Sequence, residues 1–132
     1  MQTTDICLGE RTLHLCFNGA AMFDLWDMFG QEKPLLEHIE PNTKKAFNAT
    51  CIMLYKLAEQ GELVRRYWGH TPQEVPTIKE LSALLCPADV LAAKSAVGLA
   101  ISAGLKMEAQ IRRSEVDLGL QELERTKKVR AG

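Results

Sequence analysis

Within residues 12–30 the apolar period changes from two to about 3.6 across the single pair Asn18-Gly19. A short strand must therefore run straight into a helix, and the two have to share a core, because a lone pair of strands is marginal in water. Leu13, Leu15 and Phe17 alternate with Thr12, His14 and Cys16, which gives one apolar and one mixed face. Met22, Leu25, Trp26 and Phe29 then recur at helical spacing, with Asn18 placed to cap the helix and Gly30 to close it. Upstream, Ile6 and Leu8 alternate in the same way, and Gly9-Glu10 suits a two-residue turn with glycine first.

A polar connector follows over residues 31–41, with one helical turn begun by Pro34 and Leu35, Leu36 and Ile39 turned inward. His38 in this connector reads as a solvated residue in preference to a catalyst. Asn42-Thr43 opens a long helix with Phe47, Cys51, Leu54, Leu57 and Ala58 on one stripe, the expected central element. Gly61 costs about 1 kcal/mol in a helix interior, so this helix either breaks there or runs on to Trp68 with Leu63, Val64, Tyr67 and Trp68 packing. After the proline-containing loop 70–76, Thr77 and Glu80 have capping-box spacing ahead of Leu81, Leu84 and Leu85. Cys86-Pro87 starts a last core helix rich in alanine, glycine and serine, whose small side chains allow close approach to the central one. Phe17, Trp26, Phe47, Leu54 and Leu85 are the expected large core residues.

The expected fold is thus mainly α. A small helical, bundle-like domain with a short N-terminal β-hairpin covers residues 1–105, and a charged C-terminal extension covers 106–132. In the extension Ile111, Val116, Leu118, Leu120 and Leu123 are too sparse to bury a full face, so it is either solvated or orders on a partner. Those five residues, with Tyr67 and Trp68, are the candidate partner contacts.

At 132 residues the chain is sized for one domain, and its formal net charge of −1 supplies no concentrated positive field for nucleic acid or an anionic membrane. The start MQTTDICLGE lacks the basic and then apolar regions of a signal peptide, and the weakly polar stretch 88–105 is interrupted by Asp89 and Lys94. A soluble, cytoplasmic protein is expected. Cys7, Cys16, Cys51 and Cys86 show no metal-binding spacing, and no cofactor is expected. The one metal variant is Cys7, His14 and Cys16 sharing the polar face of the hairpin, with no fourth ligand in sight.

Asp24 and Asp27 lie three apart on a helix and could pair as acid and base, yet a solvated face is the simpler reading. Neither a nucleophile elbow nor a glycine-rich phosphate loop occurs, so no enzyme is expected. Arg65, Arg66, Arg112 and Arg113 give the alternative of a small DNA-binding or regulatory module.

Five segments in order, ICLGERTLHLCFN, AAMFDLWDMFG, QGELVRRYWG, LLCPADV and EVDLGLQELERTKK, resemble the tail assembly chaperones of long-tailed bacteriophages and related prophages. The resemblance implies a non-catalytic task in the cytoplasm of a bacterial host. There the protein would bind the tape-measure protein, keep it soluble, recruit tail-tube subunits and stay out of the finished virion. Self-association is compatible with that task.

Overall fold

The computed structural model describes residues 3–106. Thr4–Leu8 (β1) and Arg11–Leu15 (β2) form an antiparallel hairpin, Gly19–Phe29 is α1, Leu35–His38 is a 3-10 turn, Lys44–Tyr67 is α2 and Ile78–Leu84 is α3. A further helix, α4, covers Pro87–Lys106. The domain is mainly α with an N-terminal hairpin, as the periodicity requires.

The hairpin pairs Leu8 with Arg11 and Ile6 with Leu13. Gly9 takes φ +62 while Glu10 stays at negative φ, the signature of a type II′ turn, whose twist matches that of the strands. Ile6, Leu13 and Leu15 face the core, and β2 lies on α2. The chain leaves the hairpin at Cys16, whose N–H donates to the Leu57 carbonyl at 3.0 Å. Cys16 is buried as a result, although strand alternation assigns it to the mixed face.

Asn18 caps α1 as expected, its Oδ1 accepting from the Ala21 N–H at 2.9 Å. Its Nδ2 donates to Gln60 Oε1 at 3.0 Å, so one side chain caps α1 and ties it to α2. Gly30 closes α1 through its N–H to the Trp26 carbonyl. The buried stripe is rotated from the expected one. Ala21 and Leu25 are fully enclosed, while Met22, Trp26 and Phe29 are half-buried along the flank and Trp26 meets Phe23 edge-on at 5.5 Å. Phe47 is also half-buried, whereas Phe17, Leu54 and Leu85 are in the core. Two of the five expected large core residues therefore sit at its margin, because Leu25 and the small Ala46 and Ala49 occupy the closest contacts on their helices.

α2 is the central element, with burial from Ala46 to Glu62 on most sides of the helix. It does not break at Gly61. The glycine is where the end of β2 crosses α2, and a Cβ built there would overlap the His14 carbonyl oxygen. The helix runs on to Tyr67, but Leu63, Tyr67 and Trp68 are exposed among the described residues. Arg65 and Arg66 stand in the last turn, where they complement the helix dipole.

The Thr77–Glu80 capping box is complete, with the Glu80 N–H donating to Thr77 Oγ1 at 3.1 Å and the Thr77 N–H to Glu80 Oε1 at 3.3 Å. Leu81 is buried and Leu84 exposed, since α3 lays a single turn on α2. Before α4, the Cys86 backbone N–H and thiol both donate to Asp89 Oδ2, at 3.3 and 3.1 Å. Ala93, Ala96, Val97, Ala100 and Ile101 place one face of α4 in the common core.

Candidate interaction surface

Among the described residues nothing covers the other face of α4, where three leucines stand with Ser95 and Ser102 between them. Leu91 is 67%, Leu99 63% and Leu105 49% exposed, and at 100° per residue the three fall within an arc of about 120°. Exposed leucines scattered singly need no explanation, but three on one helix face make it the candidate interaction surface. The helix is also long and apolar enough, by length and composition, to cross a membrane, with 20 residues that include an 18-residue stretch of mean hydropathy 1.4. Asp89 and Lys94 lie in its N-terminal half, and residues 95–105 carry no charge. The sequence pattern marks α4 as a core helix and gives no sign of its outward face. Alanine, glycine and leucine on every side do not reveal which side a neighbour covers.

A second exposed group closes α2, where Tyr67 is 88% exposed and is followed by exposed Trp68. Both candidate partner residues are thus accessible. Ile111, Val116, Leu118, Leu120 and Leu123 lie outside the described residues, as do Arg112 and Arg113. Arg65 is not an open phosphate contact: its Nη1 donates to both carboxylate oxygens of Glu62 at 2.8 Å. Glu62 Oε2 also accepts the Gln73 N–H at 2.9 Å, which pins the proline loop to α2. Only Arg66 of that pair presents a free guanidinium at the surface among the described residues.

The residues of the chemical alternatives have other partners or lie exposed. Asp24 is bound to Lys56 at 3.2 Å, and Asp27 is exposed. Lys56 also reaches Glu59 at 3.1 Å. Burial pushes the Lys56 ammonium down, but the two carboxylates outweigh it and hold the group above its ordinary pKa. In the hairpin, His14 Nδ1 is 2.7 Å from Asp5 Oδ1, and the exposed Cys7 thiol is 3.7 Å from the Thr12 hydroxyl. Cys16 lies under α2, where burial raises its thiol pKa, as it does that of Cys51. Cys7, His14 and Cys16 therefore do not form one ligand set, and among the described residues no three metal-binding side chains converge. None of the four cysteines is in a disulfide.

His38 departs most from its expected role. It is half-buried, its ring is tilted against Phe29 at 5.1 Å, and Nε2 is sealed from solvent with no hydrogen-bond partner among the described residues. Desolvation, then Lys33 and Lys45, lower its pKa from 6.5, with Glu37 opposing them. The unfolded chain therefore binds a proton at His38 before the folded one does. Stability falls as pH drops through about 6.5 and levels off below the folded pKa. Urea midpoints followed from about pH 7.5 to about pH 5.5 should show this slope, and His38→Gln should flatten it. An identical slope in the variant would contradict the assignment.

Comparison with protein-family models, with curated proteins and with solved structures gave no match to this chain.

Proposed function

We propose that the protein is a non-catalytic assembly chaperone for a long helical client. The client class is the tape-measure protein of a long-tailed bacteriophage, to which the chaperone brings tail-tube subunits in the host cytoplasm before being left out of the virion. The observation that carries this reading is the outward face of α4, where Leu91, Leu99 and Leu105 stay exposed on a helix whose opposite face is firmly in the core. A rigid helix with an uncovered apolar side is what docking of an amphipathic partner helix uses. Tyr67 and Trp68 add exposed aromatic groups of the kind that anchor interfaces. The five segments that resemble tail assembly chaperones support the same client class, and the residues of the enzymatic alternative are engaged elsewhere, Asp24 with Lys56 and His14 with Asp5.

Co-expression with the tape-measure protein encoded in the same genome tests the reading. The expected result is a several-fold rise in soluble tape-measure protein and its co-purification with the chaperone. A tape-measure protein that stays insoluble and unbound beside well-folded chaperone would sink the reading.

A further inference from the structure

Two clefts flank the first turn of α2, and both have apolar walls and lysines at the rim. On one side Phe29 and Ile52 wall a cleft of about 610 Å³ that carries Lys33 and Lys45, with Glu37 its single carboxylate. On the other side Phe47, Leu85 and Leu91 wall a cleft of about 660 Å³ that carries Lys94 and no carboxylate. Lys44 lines both. Between them lies the positive end of the α2 dipole, where acidic side chains are favoured; the first turn holds Lys44 and Lys45 and no acid. Among the described residues Lys33, Lys44 and Lys45 take part in no ion pair. Lys94 is held by the Pro41 carbonyl at 3.1 Å and, at 3.5 Å, by the Glu40 carbonyl and Asn42 Oδ1, all uncharged acceptors. Four cations around one helix N-terminus repel one another until carboxylates come to them.

The chain itself carries such carboxylates. Residues 114–124, SEVDLGLQELE, contain Glu115, Asp117, Glu122 and Glu124 with no basic residue, interleaved with Val116, Leu118, Leu120 and Leu123. Both the sign of charge and the apolar content complement the clefts. The reach is sufficient. Leu91 is fifteen residues back from Lys106 along α4, about 22 Å at 1.5 Å per residue, and the nine steps from Lys106 to Glu115 span up to about 30 Å when extended.

We propose that residues 115–124 fold back along the exposed leucines of α4 and seat on the lysine-rimmed clefts at the N-terminus of α2 in the same chain. The acidic side chains meet Lys33, Lys44, Lys45 and Lys94, and the aliphatic ones enter the apolar walls. This fold-back stands whether or not the protein is an assembly chaperone. If it is, the segment holds the client face until a client displaces it, a consequence that rests on the proposed function.

Zero-length carbodiimide cross-linking of the full chain, as a dilute equal mixture of isotopically light and heavy protein, tests the fold-back by mass spectrometry. The expected links join Lys33, Lys44, Lys45 or Lys94 to Glu115, Asp117, Glu122 or Glu124 within chains of one isotopic composition. They should fall several-fold between about 0.05 and about 0.5 M salt as screening shortens the reach of the charges. The link between Lys56 and Asp24, 3.2 Å apart, serves as the internal control. Tail links of which about half are mixed light–heavy pairs, the share that random pairing of copies gives, would assign the segment to a second copy and overturn the proposal. Absence of tail links while the Lys56–Asp24 link forms would overturn it too.

Discussion

Replacing Gly61 with alanine should lower the melting midpoint by about 10 °C, although the same change in an exposed helix interior would stabilise it. Helix propensity favours alanine over glycine by about 1 kcal/mol. At Gly61 that gain is outweighed because the added methyl would occupy the position of the His14 carbonyl oxygen, a backbone atom that cannot rotate away. The end of β2 must lift off α2, and the Cys16 N–H to Leu57 carbonyl bond next to it is strained or lost. Overpacking of this kind costs about 3 kcal/mol at the upper end of its usual range, or about 10 °C for a domain of this size. Thermal melts of the two proteins decide it. A higher midpoint for the alanine variant would show that β2 does not cross α2 at this glycine.

Glu62→Ala should be the most damaging change to a charged residue, at about 2–3 kcal/mol by urea melts. Its carboxylate lies almost enclosed, gripped by Arg65 and accepting the Gln73 N–H. Truncation leaves the half-buried guanidinium without its partner and releases the proline loop from α2. Glu62→Gln keeps an acceptor for Gln73 but not the charge, so it should fall between wild type and alanine. An alanine variant within about 0.5 kcal/mol of wild type, the ordinary range for surface changes, would mean that the pair is solvated in solution.

The hairpin, the entry into α1 and the α3 capping box were all legible because each depends on neighbours within four residues. Gly9-Glu10 defines its turn, Asn18 caps α1 through the Ala21 N–H three residues on, and Thr77 and Glu80 satisfy one another. Gly61 was ambiguous because its role depends on His14, far away in sequence, crossing the helix. Trp26 and Phe47 carry the right spacing for burial, yet Leu25 and the small alanines of α2 take the innermost positions and leave the rings at the margin. His38 could not be placed from its polar surroundings, since Phe29 covers its ring from another element. The candidate surface was legible only at Tyr67 and Trp68. The exposed leucines of α4 look like core residues until the positions of the neighbouring helices show which side they leave bare.

If α4 presents its outward leucines to a helical client, the affinity of the purified pair depends on them. The client should be titrated against wild type and against a Leu99→Lys, Leu105→Lys double variant, with thermal melts of each in parallel. Both leucines are exposed, so the melting midpoint should stay within a few degrees of wild type. Binding should weaken at least about tenfold, the equivalent of about 1.4 kcal/mol at an interface centre. Unchanged affinity with unchanged stability would show that the client binds elsewhere on the protein.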